Sequence, residues 1–328
     1  MTQAPSVLII QTAFIGDVIL ATALVESIRK THPEAVIDFV VRNGNEELVS
    51  GNPGIRKVFI LDKRRKYASL MELIAAFRKA RYDYAINVQR FATTGLMTFL
   101  SGAKATIGFD KNPLSGFFTH KVRHDVGGLH EVTRNLRLLS PAGMDVEAMP
   151  RIYPSAQQWE VVKGFKAEPY ITVSPASVWF TKQWPAKQWS EFLHQISGLK
   201  IYILGGPGDQ KLGDELTSSI PGKSIVNLAG KLSLVESAAL MADARMNFVN
   251  DSAPLHLASA MNAPVTAVFC STVPSFGFGP LSDKSFVIET KEDLDCRPCG
   301  LHGFRQCPKG HFRCATSIDV RQLTATLS

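Results

Sequence analysis

The chain has 328 residues, of which 45% are hydrophobic, and carries a formal charge of +7. This length exceeds what one hydrophobic core usually supports, so we expect two domains. The first residues carry no basic stretch, and the apolar run at residues 7–10 is too short for a signal peptide or a membrane span. These features predict a cytoplasmic protein.

Most of the net positive charge lies in the first half of the chain. Up to residue 154 there are 20 Lys and Arg against 14 Asp and Glu, and beyond it 16 against 15. Such an excess suits an anionic partner, including a membrane surface, although a solvated surface explains it equally well. The pI near 9.1 raises the remote alternative of a nucleic-acid-binding protein. The basic runs lack interleaved aromatics and any familiar motif, so we expect no nucleic-acid partner.

The first half alternates apolar strands with amphipathic helices. Strands are predicted at residues 7–11, 36–41, 58–61 and 84–88, and helices at 18–31 and 69–81. This alternation predicts a parallel sheet with helices on both faces.

The second half repeats the pattern. Strands are predicted at residues 170–174, 201–205, 246–250 and 265–269, and helices at 186–197, 210–219, 234–242 and 255–261. Two doubly wound α/β domains follow, over residues 1–152 and 153–328, because Pro150 and Pro154 bracket an extended segment. Ligands bind at the carboxyl ends of parallel strands, so we expect the site in the cleft between the domains.

A carboxylate follows the first predicted strand. The loop of residues 11–16 ends at Gly16, and Asp17 stands at the start of the next helix. An aspartate there can cap the helix by accepting backbone N–H bonds. It can also act as a general base, with Gly16 allowing the tight turn. The loop lacks the G-x-G-x-x-G pattern, which argues against an ordinary dinucleotide-binding turn.

Two segments of the second domain suit an anionic ligand. Lys182 precedes Pro185, which favours the first turn of a helix, and can neutralise a diphosphate or be an ordinary surface lysine. At residues 250–260 a strand ends and a helix begins, so its free N–H groups form an anion site. Asp251 can also be a simple helix cap, and His256 a core histidine.

The order of these segments resembles the ADP-heptose:lipopolysaccharide heptosyltransferases of glycosyltransferase family 9, in particular the heptosyltransferase-II type. The resemblance is carried by Gly16-Asp17, Lys182-x-Trp184-Pro185-x-x-x-Trp189 and Asp251-Ser252-x-x-x-His256-Leu257-Ala258. Residues 203–209 and 228–234 extend it over nearly the whole chain.

The resemblance implies the GT-B architecture, in which two Rossmann-like, doubly wound domains face each other across a cleft. The first domain would bind the acceptor and the second the nucleotide sugar, with a C-terminal helix returning toward the first. It implies inverting transfer of heptose from ADP-heptose to the inner core of lipopolysaccharide. The acceptor would be Kdo-lipid A or a heptosylated core at the cytoplasmic membrane face, and no metal or other cofactor would be required.

By similarity, Asp17 is the catalytic base and Lys182 stabilises the departing diphosphate. The residues expected around the nucleotide sugar are Ser177, Lys182, Asp209, Leu232, Asp251, Ser252, Ala253, Leu255 and His256. The chain departs from the family at Ala253-Pro254, where relatives usually have Gly and an apolar residue. Since proline has no N–H, the phosphate donors would be Ala253, Leu255 and their neighbours.

Arginines that follow two predicted strands suit the carboxylates and phosphates of such an acceptor. Arg64 and Arg65 belong to a basic run after residues 58–61, and Arg90 follows residues 84–88. Part of this run is equally explained as solvated charge. A glycosyltransferase with another nucleotide sugar, such as a UDP donor, and a sugar-nucleotide epimerase are alternatives on the same fold.

Four cysteines lie close together near the C-terminus, at positions 296, 299, 307 and 314. Zinc sites usually have two close pairs, whereas here Cys296 and Cys299 form the single close pair. A local structural role, a zinc site and redox chemistry are three interpretations of this cluster. Disulfides are disfavoured in a cytoplasmic chain.

Overall fold

The computed structural model describes residues 4–125 and 127–327. Contacts within the chain divide it into two compact units, Met1–Tyr153 and Pro154–Ser328. Each unit is built around one parallel sheet, and the two are described in turn.

The first unit has six described strands and five described α-helices. The strands are β1 (Ser6–Ile10), β2 (Val36–Arg42), β3 (Ile55–Leu61), β4 (Tyr84–Asn87), β5 (Ala105–Phe109) and β6 (His120–Val122). The helices are α1 (Ile15–Thr31), α2 (Glu47–Ser50), α3 (Lys66–Ala80), α4 (Ala92–Leu100) and α5 (Glu131–Leu136). The strand order is β3-β2-β1-β4-β5-β6, so the order reverses direction between β1 and β4.

The core of this unit lies on both faces of β1, whose residues 7–10 are fully buried. A continuous apolar run is what a strand covered on both faces requires. The helix α1 is also buried on nearly all sides. Residues 144–153 cover its outer face, where Ser27 Oγ donates to Met144 O at 2.7 Å and Arg151 N donates to Thr22 Oγ1 at 2.9 Å.

The second unit repeats the topology with six described strands and seven described α-helices. The strands are β7 (Tyr170–Ser174), β8 (Lys200–Ile203), β9 (Ile225–Asn227), β10 (Asn247–Asn250), β11 (Val265–Phe269) and β12 (Ser285–Glu289). The helices are α6 (Ala156–Lys163), α7 (Ala186–Gln195), α8 (Gln210–Ser218), α9 (Leu234–Ala242), α10 (Ala253–Ala260), α11 (Arg313–Thr316) and α12 (Arg321–Thr324). The order β12-β11-β10-β7-β8-β9 reverses direction between β7 and β10.

The C-terminal segment packs into the core of the second unit. Leu323 of α12 is fully buried in the cluster that contains Trp184 and Trp189, whose rings meet edge to face at 4.9 Å. Trp184 Nε1 donates to Ala315 O at 3.2 Å, which gives the buried indole N–H its partner. The expectation that a C-terminal helix returns toward the first domain stays a prediction.

Both sheets are parallel with helices between successive strands, and the predicted α/β fold of two doubly wound units is confirmed. Among the described residues, no helix combines the length and the apolar character that a membrane crossing requires.

Leu323→Ala is expected to lower the free energy of unfolding of the second unit by about 2–5 kcal/mol, because the truncation leaves a cavity in a closed core. All four tryptophans lie in this unit, so urea unfolding followed by tryptophan fluorescence reports on it. Leu301→Ala, at a side chain that is 49% exposed, is the control and should change little. Equal losses in the two variants would mean that α12 is not part of the core.

Candidate active site

The first group of site residues lies where the strand order of the first unit reverses. Asp17 is the third residue of α1, and its Oδ2 accepts a hydrogen bond from Phe14 N at 3.3 Å. The carboxylate therefore caps the helix, as one sequence-based interpretation proposed. The cap uses one oxygen and leaves the side chain half-buried rather than enclosed. Capping and a role as a base are compatible.

The pKa of Asp17 is raised to about 6. Burial of the carboxylate is the largest cause, and the negative charge of Glu131 adds to it. The Phe14 N–H and the charges of Lys111 and Arg42 act in the opposite direction. Asp17 is thus ionised at neutral pH and yet more basic than an ordinary aspartate, which is the property a general base needs.

Side-chain amides fix the loops that surround Asp17. Gln11 Oε1 accepts from Ala13 N at 3.3 Å and also from the side chain of Gln89, which follows β4. Asn112 Nδ2 donates to Gln89 O at 2.9 Å, and Asn45 Nδ2 donates to Ala13 O at 3.0 Å. These hydrogen bonds therefore connect the loops after β1, β2, β4 and β5 around Asp17.

Three charged residues in the surroundings of Asp17, namely Glu131, Arg134 and Lys111, were not assigned a role from the sequence. Glu131 and Arg134 form a buried pair with an N–O distance of 2.7 Å. Lys111 follows β5 and holds its ammonium 5.0 Å from the centroid of the Phe109 ring. Burial lowers the pKa of Lys111, the Glu131 charge raises it, and the nearby Arg134 and Arg90 lower it further. Finding Lys111 from sequence would have required recognising β5.

The predicted acceptor arginines occupy different surroundings. The Arg90 guanidinium lies 5.5 Å from the centroid of the Phe91 ring, close enough to Lys111 to affect its pKa. Arg64 is exposed in the loop after β3, where its N–H donates to Asp62 Oδ1 at 2.8 Å. Arg65 pairs with Glu72 at 3.1 Å on an exposed face of α3, so part of its charge is already compensated.

The second group lies at the matching reversal of strand order in the second unit. Lys182 Nζ lies 2.6 Å from Asp251 Oδ2, and Thr272 Oγ1 donates to the same oxygen at 2.5 Å. The Lys182 side chain is 15% exposed and that of Asp251 6% exposed, so the ion pair is nearly enclosed. The sequence predicted both residues near the diphosphate, and the structure brings them into direct contact.

Asn250 connects the loops that carry this pair. Its Oδ1 accepts from Trp184 N at 3.0 Å, and its Nδ2 donates to Pro175 O at 2.6 Å. Both partners belong to the segment that follows β7, the strand next to β10 in the sheet. This side chain therefore fixes the Lys182 loop relative to the start of α10.

The start of α10 differs in detail from the expected anion site. Ser252 is the N-cap in an extended conformation, and its side chain makes no capping bond to the helix. The N–H of Leu255 already donates to Ser252 O at 3.0 Å, so that predicted phosphate donor is engaged within the turn. Ala253 carries the N–H that precedes Pro254. His256 is buried with its ring 6.2 Å from that of Phe278.

The remaining predicted nucleotide-sugar residues lie at the carboxyl ends of β7, β8 and β9. Ser177 is half-buried in the loop after β7. Asp209 Oδ2 accepts a hydrogen bond from Gly206 N at 2.8 Å, so this carboxylate stabilises the turn of residues 206–209. The adjoining loops meet where Gly230 N donates to Gly205 O at 2.9 Å, and Leu232 is half-buried two residues further on.

The cysteines are free thiols rather than disulfides. Burial raises the pKa of Cys299, and it raises that of Cys314 to about 12, so both thiols are protonated at neutral pH. Within residues 4–125 and 127–327, no group of three or more His, Cys, Asp or Glu side chains is arranged to hold a metal ion. The zinc interpretation gains no support from this arrangement.

A family model described as glycosyltransferase family 9 (heptosyltransferase) matches residues 70–302. The chain belongs to glycosyltransferase family 9. It is therefore a glycosyltransferase, as the resemblance implied.

Named relatives of this glycosyltransferase agree with the assignment. Lipopolysaccharide heptosyltransferase 3 of Escherichia coli is 27% identical over 280 residues, which cover 79% of this chain and 82% of that protein. The structure of E. coli ADP-heptose lipopolysaccharide heptosyltransferase II matches with a TM-score of 0.78 and 21% identity, covering 98% of each chain. The iron-containing dodecameric glycosyltransferase TibC of enterotoxigenic E. coli matches with a TM-score of 0.62 and 17% identity, covering 99% of this chain and 75% of that one. The two structural matches concern the fold.

Lys182→Met is expected to lower the free energy of unfolding of the second unit by about 3–5 kcal/mol, because it leaves the buried Asp251 carboxylate without its counter-charge. Adding Asp251→Asn should recover much of this loss, since no uncompensated charge then remains. Urea unfolding followed by tryptophan fluorescence measures both effects. Lys187→Met, at a lysine side chain that is 84% exposed, is the matched control. A single Lys182 variant as stable as this control would contradict a buried, energetically coupled pair.

Proposed function

We propose that this glycosyltransferase transfers heptose from ADP-heptose to the inner core of lipopolysaccharide with inversion at the anomeric carbon. The observation that carries the proposal is the half-buried Asp17 carboxylate, whose pKa of about 6 fits a general base. Heptosyltransferase is the activity named for the family and for the relatives in E. coli. The acceptor we propose is a Kdo-lipid A or heptosylated core.

The donor diphosphate would bind at the carboxyl ends of β7 and β10. Lys182 supplies a positive charge there, and the start of α10 adds the positive end of a helix dipole and the Ala253 N–H. Ser177, Ser252 and His256 would border the same position. Asp209 and Leu232, on the loops after β8 and β9, would lie near the nucleoside.

The acceptor would bind in the first unit, where the excess of basic residues lies. Lys111 stands near Asp17 and Arg90 stands near Lys111, and both cations suit a carboxylate or phosphate of the acceptor. Arg64 and Arg65, in the segment that follows β3, would add to this positive charge. The same positive charge favours peripheral contact with an anionic membrane surface, which is consistent with a cytoplasmic enzyme acting on a lipid-linked acceptor.

In the proposed reaction Asp17 takes the proton of an acceptor hydroxyl as its oxygen attacks the anomeric carbon. The bond from that carbon to the diphosphate breaks, and ADP leaves with the electron pair. Lys182 and the start of α10 stabilise the charge that develops on the leaving group, where one preorganised donor typically contributes about 3–4 kcal/mol. These protein groups supply the positive charge, so we propose a metal-independent reaction. TibC is iron-containing, which makes a metal requirement worth testing directly.

Asp17→Asn is expected to reduce acceptor-dependent release of ADP from ADP-heptose by about a hundredfold or more, because it removes the base without changing the size of the side chain. The loss should not come from unfolding, because the substitution removes a charge that burial disfavours. Thermal unfolding of both proteins is the control. Release without an acceptor, or release from a UDP-sugar instead, would favour another donor or an epimerase. An unaffected variant would assign the base to another residue.

The value of kcat/KM is expected to fall about tenfold per pH unit below an apparent pKa near 6, as Asp17 becomes protonated. Lys111→Gln should move this limb to higher pH, because the Lys111 charge lowers the pKa of Asp17. Lys79→Gln, at an exposed lysine on α3, is the control and should leave the acid limb of the pH profile in place. Identical profiles for the Lys111 variant and the wild type would contradict the electrostatic coupling.

A further inference from the structure

Part of the cysteine-rich region contacts the two loops that carry Lys182 and Thr272, the residues that bind Asp251. Arg297 donates from Nε to Cys270 O at 2.8 Å and from Nη2 to Thr272 O at 2.8 Å. Cys299 N donates to Ser271 O at 2.8 Å. Residues 297–299 therefore bind three successive carbonyl groups in the loop that follows β11 and carries Thr272.

The same region also holds the turn that carries Lys182. Thr181 N donates to Phe304 O at 3.1 Å, and Phe304 N donates back to Thr181 Oγ1 at 2.8 Å. Ser271 Oγ donates to the same Thr181 hydroxyl at 3.0 Å. Thr181 is 1% exposed, so this hydroxyl is an enclosed junction between the two loops and residues 297–304.

The two connected loops deliver their donors to a single atom. Lys182 Nζ comes from the turn that Thr181 anchors, and Thr272 Oγ1 comes from the loop that Arg297 binds. Both donors meet at Asp251 Oδ2, at 2.6 and 2.5 Å. A change in the spacing of the two loops would therefore move Lys182 relative to Asp251.

Gly303 shows how closely the parts are packed. A Cβ atom at this position would lie 2.7 Å from Thr181 Oγ1 and 3.1 Å from Lys182 Cγ. The φ angle of Gly303 is +75°, a conformation that favours glycine. The backbone conformation and the close packing thus both require glycine beside the aliphatic part of the Lys182 side chain.

We propose that residues 297–304 form a clamp that sets the position of the Lys182 ammonium for the second phosphate of a nucleoside diphosphate, with Thr181 as the positioning residue. The inference rests on the proposed function, because it takes Lys182 as a ligand of the donor diphosphate. It gives the cysteine-rich region a role that needs neither a metal nor a disulfide. Beyond the clamp, Cys314 is buried in the same cluster as Trp184, and the partly buried Cys307 packs against that cluster.

Binding of ADP and AMP to the full-length protein, measured by calorimetry, separates positioning from general stability. Thr181→Val keeps the volume of the side chain and removes the hydroxyl. We expect ADP affinity to fall about fivefold to tenfold, the effect of losing the hydrogen bonds at one hydroxyl, and AMP affinity to stay unchanged. Thr181→Ser should restore ADP binding. Thr181→Ala, which only removes atoms, carries the same expectation as Thr181→Val.

The control is Thr266→Val, which removes another fully buried hydroxyl of the same unit, paired with Thr326 Oγ1 at 2.7 Å. This variant should keep the preference for ADP. An unchanged ADP affinity in both Thr181→Val and Thr181→Ala would overturn the clamp, as would equal losses for ADP and AMP. A wild-type protein that binds ADP no more tightly than AMP would instead overturn the proposed diphosphate site itself.

Discussion

The constraint on which both groups of site residues depend is the reversal of strand order in an all-parallel sheet. Helices that connect parallel strands must cross to one face or the other, and at the reversal the loops on either side diverge. Between β1 and β4 this leaves room for Asp17, and between β7 and β10 for Lys182 and Asp251. The two units thus place different chemistry at the same topological position.

The fold was predictable where apolar runs are long and uninterrupted. The strands β7 and β11 were predicted with the bounds that the structure has, and β1 and β4 within one residue at each end. The strands β5, β6, β9 and β12 were missed. The three-residue edge strands β6 and β9 have no fully buried residue. Such short segments contain no recognisable pattern of hydrophobic residues. Their strand conformation depends mainly on pairing with the neighbouring strand.

The candidate site was predictable from motifs but its electrostatics were not. Asp17, Lys182 and Asp251 stand in recognisable local patterns, whereas the influence of Glu131 on Asp17 connects residues more than a hundred positions apart. Lys111 was missed because its strand was missed. The cysteine spacing left a structural role, a zinc site and redox chemistry open. The contacts of Arg297 and Cys299 with the loop of Thr272, and of Phe304 with the Lys182 turn, depend on tertiary packing that spacing does not encode.

The two groups of site residues place a carboxylate in opposite surroundings. Asp17 has a single backbone donor, and burial beside the negative charge of Glu131 raises its pKa, so that accepting a proton relieves an unfavourable charge. Asp251 receives both an ammonium and a hydroxyl on one oxygen, so its charge is compensated and serves to hold Lys182. In the proposed reaction, one carboxylate gains a proton and the other positions a cation. A glycosyl transfer needs both functions, because a proton must leave the acceptor while negative charge accumulates on the departing diphosphate.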